Sequence, residues 1–309
     1  MASEEENEIE NLASAGHKLG QLVGDWFAEY FVLPLLREVA DRLMLYLDHQ
    51  FKTRSARGER VLWRDQDGNE VDYDFVMEVG GTDENIGIPV AFFECCWRRG
   101  TRHSKDKARD DSGKLVPMRQ TYPTAMFLGM VISGDFTMPS REMIQSRGID
   151  LLYIPKAKVV AAFEQVGLQM DYSDRSREEE KARVEATFQA GLTQEAKRVV
   201  GENLLNLIGP HSIQGYLDRV RGALRALPQE IRFISRKDST PQVFESIEEA
   251  TSFLENPAFD FSAATGSYVY QITFSDGREF ERTAATLDEL KALHQQIIVL
   301  TDHLSSLSE

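Results

Sequence analysis

Cysteine is nearly absent from this chain: there are two among 309 residues, Cys95 and Cys96, and they are neighbours. Adjacent cysteines close no useful disulfide, and no CxxC or Cys/His spacing offers a zinc site. That excludes a disulfide-framed scaffold and a zinc module, and it fits a reducing, cytoplasmic setting. Long apolar runs are missing too. None approaches the roughly 18 residues of a membrane-spanning helix, so no membrane role is expected. The start, MASEEENEIE, lacks the basic and apolar regions of a secretory signal. Residues 1–12 read as a solvated, disordered acidic tail. Histidine is sparse, and His17, His49, His211, His294 and His303 fall in no ligand spacing. No Walker loop, GxGxxG, GxSxG or HExxH occurs, so nucleotide-binding, serine-hydrolase and zinc-protease readings have no support. Positive charge is in deficit as well: 35 Lys and Arg against 50 Asp and Glu give a net −15. A protein that coats DNA uniformly is excluded; a local basic cleft is not.

What is present suits a globular chain long enough for more than one core: 42% of its residues are hydrophobic and 28% charged. Residues 13–48 carry Leu22, Trp26, Tyr30, Leu36, Val39 and Leu43 at helical spacing, with Pro34 set to kink or divide the helix. ERVLWRDQDGNEVDYDFVMEVGG reads as a hairpin turning at Asp67-Gly68-Asn69. A strand over residues 88–97 follows, then a polar helix over about 104–112 that closes on the charge pair Asp110 and Asp111. AMFLGMVI and IDLLYIP read as buried strands. Between them PSREMIQSRG forms a helix that begins near Ser140 and ends at Gly148.

This order defines an α/β domain over 13–172. The charge-rich stretch 171–186 marks a boundary, followed by a helical linker or subdomain over 173–227. The remainder, 228–309, repeats a ββα pattern. Its two helices open with capping boxes at Ser246/Glu249 and Thr286/Glu289, and its hairpins turn at Asp238-Ser239 and Asp276-Gly277.

The chemistry gathers around IPVAFFECCWRRGTRH, residues 88–103. Strand alternation puts Val90, Phe92, Glu94 and Cys96 on one face and leaves Cys95 to the core on the other. A lone carboxylate in an apolar strand is costly unless it is paired or binds a cation. In the preceding arm, VDYDFVMEV, the same alternation aligns Asp72, Asp74 and Glu78. An acid from this arm and Glu94 on an adjacent strand would offer the oxygen ligands that Mg²⁺ prefers, with Mn²⁺ as the alternative. Such a centre suits phosphodiester hydrolysis.

An acid at a strand start, then a turn and a strand ending h-h-(D/E)-x-K, is the motif that this stretch resembles. It belongs to the PD-(D/E)XK nuclease superfamily of restriction endonucleases and junction resolvases. Asp74 resembles the first acid and Glu94, closing VAFFE, the second. Glu29 in GDWFAEYFVLPLL is similar to the further acid of the preceding helix. The resemblance spans about residues 20–160. It implies a restriction-endonuclease-like mixed central sheet flanked by helices, a divalent metal on Glu29, Asp74 and Glu94, DNA as substrate, and a homodimer. A companion methyltransferase or defence-system subunit would fit the same setting. One departure is plain: the motif lysine is Cys96, and a thiol neither orients water nor offsets phosphate charge well. Lys105 and Lys107 on the following helix are the substitutes expected. The rival expectations are a nuclease fold that binds DNA without cutting it and an α/β protein unconnected with nucleic acid, in which Glu94 is a buried, paired structural acid.

Charge agrees with a DNA-facing segment. Between Trp97 and Arg119 there are eight Lys or Arg against three Asp. Arg98, Arg99, Arg102, His103 and Ser104 are the residues expected on backbone phosphates. Trp26, Trp63 and Trp97 are expected to pack in the core or at its rim and not to serve as base-stacking platforms.

Overall fold

The computed structural model describes residues 15–101, 104–173, 176–235, 241–255 and 267–307. The acidic start, Arg102, His103 and the Asp238-Ser239 turn lie outside the described residues. No helix among them is long and apolar enough to cross a membrane.

The first helical stretch is α1 (Ala15–Trp26), a π-helical turn (Phe27–Val32) and α2 (Leu33–Arg42). Pro34 explains the turn. Its ring nitrogen donates no hydrogen bond, so the helix widens upstream, and the Leu33 amide reaches back five residues to the Ala28 carbonyl. The helical spacing predicted to run to residue 48 stops sooner. Met44 takes a positive φ of 50°, and β1 (Tyr46–His49) pairs antiparallel with β4 (Phe75–Val79). Strand pairing that buries Asp48 and His49 overrides the local helical pattern.

The hairpin forms as β2 (Leu62–Arg64) and β3 (Glu70–Asp72), with Gly68 at φ 84° and Asp65 accepting from the amides of Asp67 and Asn69. Its second arm does not continue to Val79. It breaks at Tyr73-Asp74, and β4 enters a different sheet. The single face expected for Asp72, Asp74 and Glu78 therefore does not exist: Asp72 stays in the hairpin, paired with exposed Arg60 at 2.9 Å.

A central mixed sheet runs in the order β1-β4-β5-β6-β7, with β5 Ile88–Arg98, β6 Phe127–Gly134 and β7 Asp150–Pro155. β4 and β5 are antiparallel. The β5–β6 connection is α3 (Ser104–Thr121) and the β6–β7 connection is α4 (Met138–Ser146), the helical crossovers that parallel neighbours need. α3 runs well past the expected end at 112, because Leu115 and Met118 add a buried face beyond its charged first half. Asp110 and Asp111 are thus mid-helix and do not form a terminal pair. α4 is capped by Thr137, whose Oγ1 accepts from the Ser140 amide, and Gly148 at φ 70° follows its end.

The chain divides into two compact units, each assembled from three stretches. The first comprises residues 1–38, 94–111 and 130–217. Its aromatic core includes Trp26 against Phe163 of α5 (Lys156–Glu164) at 4.5 Å, and Phe163 against Phe188 of α6 (Glu178–Gly191) at 5.0 Å. Trp26 Nε1 donates to the Lys197 carbonyl in α7 (Gln194–Ile208). Gly201 of α7 lies against the Tyr30 carbonyl, so closely that a Cβ there would stand 2.8 Å from the oxygen. The helices after residue 172 therefore share this unit's core. α8 (Pro210–Leu224) follows them.

The second unit comprises 39–93, 112–129 and 218–309. It contains an antiparallel sheet in the order β11-β10-β8-β9, with β8 Pro228–Ser235, β9 Pro241–Phe244, β10 Tyr268–Phe274 and β11 Glu279–Ala284. α9 (Ile247–Glu255) and α10 (Leu287–Ser306) complete two successive ββα passages, as the sequence pattern predicts. Their caps form: the Glu249 amide donates to Ser246 Oγ and the Glu289 amide to Thr286 Oγ1.

Candidate functional site

β5 carries the central acid because its sequence is apolar almost to its end. Val90 to Phe93 are buried in the second unit. The strand then continues into the first unit with Glu94, which is only 2% exposed, and with Cys96 and Trp97, also buried. Cys95 is partly exposed, so the thiol in the core is Cys96, the reverse of the expected assignment. Trp26, Trp63 and Trp97 are all buried, as expected.

In the first unit the helix after β5 brings a lysine towards this strand. Lys107 Nζ lies 2.7 Å from Asp111 Oδ1, one helical turn on. Asp111 is 1% exposed, and its Oδ2 meets no hydrogen-bond donor among the described residues. Burial opposes the charge on Lys107. Asp111 foremost, with Cys96 and Glu94, more than offsets it, so the ammonium titrates above the ordinary lysine value. Lys105, the other expected substitute, is exposed on the same helix. The sequence pattern presents Asp111 with Asp110 as a charge pair at a helix end or an extra metal site, which hides its pairing with Lys107. The i,i+4 spacing from Lys107 was the signal available.

In the second unit Asp74 sits at the break before β4, and its Oδ1 accepts from Gln50 Nε2 at 2.9 Å. The register pairs Phe75 with Phe93, the residues that adjoin Asp74 and Glu94 in sequence. Glu78, an alternative first acid, is committed elsewhere. Arg54, 1% exposed, spans both of its oxygens at 2.6 and 3.0 Å and also reaches Asp48 at 2.9 Å. Arg57 closes the cluster on Asp48, and the Arg54 guanidinium stacks on Tyr46 at 4.3 Å. Two acids and two arginines balance in a buried structural network that sequence reading missed.

The basic segment is partly engaged from within the first unit. Arg99 donates to the Tyr172 carbonyl at 3.0 Å, stacks on its ring at 4.2 Å, and lies 3.7 Å from Asp171. Lys156 Nζ is 2.8 Å from the same Asp171 oxygen and 3.8 Å from Asp135. Arg98 is partly exposed, and its Nε is buried with no hydrogen-bond acceptor among the described residues. Ser104 is buried, with its hydroxyl 3.3 Å from that of Ser140. Arg109 pairs with Asp106 and Asp110.

Glu29 lies on the π-helical turn and is partly exposed. Among the described residues no group of three or more His, Cys, Asp or Glu side chains is gathered to hold a metal. No family model, curated protein or solved structure matches this chain.

Proposed function

We propose that this protein is a Mg²⁺-dependent endodeoxyribonuclease of restriction-like design, which hydrolyses DNA phosphodiester bonds in defence or repair. The observation that carries the reading is Lys107, a charged lysine held by Asp111 within the field of Glu94 and of Cys96, the residue that displaced the motif lysine. Asp74 and Glu94 are the metal ligands in this reading. A two-carboxylate donor set suits Mg²⁺, which keeps several waters and shares substrate phosphates. Bound there, the ion would supply Lewis-acid polarisation and an activated water. Lys107 would donate to an attacking water and offset charge at the phosphate, the role Cys96 cannot fill. Arg98 and Arg99, with Arg102 and His103, would contact the flanking phosphates; Ser104, buried against Ser140, is left out of that set. Glu29 is left with a supporting role. A homodimer would place one such site on each DNA strand, and a partner methyltransferase would protect the host's own DNA.

The test is plasmid cleavage with Mg²⁺ and with Mn²⁺, run beside Glu94→Ala, Asp74→Ala and Lys107→Met. Each variant is expected to lose on the order of 10²-fold or more in rate. Wild-type protein that binds DNA at low salt without cutting it overturns the enzyme and leaves a binding module. That no group of three ligating side chains is gathered among the described residues favours that second reading. Absence of DNA binding at low salt removes both.

A further inference from the structure

We propose that Asp111 is a positioning residue for Lys107, anchoring its ammonium on the face of α3 that serves Glu94; this rests on the nuclease reading above. Three observations carry it. The pair is one helical turn apart at 2.7 Å, close enough to fix the lysine's rotamer. Asp111 is 1% exposed, whereas the exposed positions of the same helix, Lys105, Asp106 and Asp110, face solvent. A carboxylate buried merely to brace a helix would have both oxygens satisfied, as Glu78 and Asp48 do in the arginine cluster. Asp111 instead spends one oxygen on Lys107 and leaves Oδ2 without a donor among the described residues.

The consequence for the chemistry is a lysine that stays charged although half-buried. Desolvation alone would push Lys107 towards its neutral form, and a neutral amine cannot offset charge at a phosphate. Asp111 is the foremost group reversing that tendency, with Cys96 and Glu94 of β5 as the other contributors.

The full-length protein tests this in two arms. In the first, lysines are acylated across a pH series and read by mass spectrometry, with exposed Lys105 as the internal reference. Asp111→Asn keeps the burial and removes the anion, so the midpoint for Lys107 should fall by a unit or more. Its labelling near pH 8 relative to Lys105 should then rise on the order of tenfold. An unmoved midpoint in a folded variant overturns the proposal. In the second arm, Mg²⁺-dependent cleavage by Asp111→Asn should lose kcat about tenfold or more with KM little changed, and its alkaline limb should move to lower pH. A retained kcat and pH profile overturns it. Should Asp111→Asn fail to fold, Asp111→Glu keeps the charge but moves it by a methylene. A fall in kcat at constant KM then supports positioning, and an unchanged kcat refutes it. If wild type does not cleave DNA, the nuclease reading and the catalytic purpose of the pair both fall. The acylation arm still decides whether Asp111 sets the charge of Lys107.

Discussion

At the scale of single residues, the acids and bases with most leverage are buried ones. His294 of α10 is 2% exposed and sits between the Tyr270 hydroxyl and Thr251 Oγ1, each at 3.0 Å. Burial lowers its pKa from 6.5 to about 4. Above 6.5 neither the folded nor the unfolded chain protonates it, so its contribution is fully present. Between 6.5 and about 4 the unfolded chain takes up the proton and the folded one does not, so stability falls as pH falls. Up to about 3 kcal/mol is at stake over that window. Urea unfolding at pH 7 and pH 4.5 should therefore show a smaller pH effect in His294→Gln than in wild type.

Arg54 is predicted to be costlier still. Arg54→Met strands Glu78 and part of Asp48 in the core, for a loss of about 3–5 kcal/mol by denaturant unfolding. Adding Glu78→Leu should recover part of it. Neither residue was legible from composition. Glu94 stood out because one acid interrupts an apolar strand. Arg54 bonds to Asp48 and Glu78, which lie on separate stretches, and it reads locally as one more surface arginine.

Elements show where local pattern suffices and where pairing decides. β5, β6 and β7 were legible because apolar runs of that length bounded by turn residues have few other fates. The ββα passages announced themselves through their caps. The break between β3 and β4 was not legible, since Tyr73-Asp74 continues an unbroken alternation and only the switch of sheets ends it. α3 was cut short in the reading because Pro117 and a charged first half hide Leu115 and Met118. At the strand ends, Gly134 closes β6 with φ 105° directly against the Arg98 carbonyl, which also accepts from the Asp135 amide at 2.8 Å. Gly134→Ala combines a disfavoured backbone with a clash on main chain that has little room to yield. A loss of about 2 kcal/mol or more is expected, measured by urea unfolding. Gly277→Ala, also at positive φ but with open space around it, should lose less.

For the whole molecule, the chain crosses between its two units rather than completing one and starting the next. A linear reading places boundaries at composition shifts and has no means of seeing such interleaving. α6 and α7 cover Trp26 and Phe163, each at most 1% exposed. Ending the chain at residue 172 would bare these rings, at about 1.5–3 kcal/mol for each large apolar side chain. Such a truncation is predicted to lack near-ultraviolet dichroism and cooperative unfolding, while the full chain keeps both. A truncation that melts cooperatively would refute a shared core.

The strap that joins Asp171 and Tyr172 to Arg99 and Lys156 has a consequence for any encounter with DNA. Asp171 acts as a tethered counterion, already condensed on two of the cations that a phosphate would seek. Lys107 and Arg109 likewise carry anions of their own helix. Salt dependence counts only the solution ions set loose on binding, about 0.9 per phosphate neutralised. The slope of log affinity against log salt should therefore fall well short of the eight cations of this segment, and Asp171→Asn should steepen it by about one. Under the proposed DNA-binding role, affinity would be an exchange of one anion for another, the first of them brought by the protein itself.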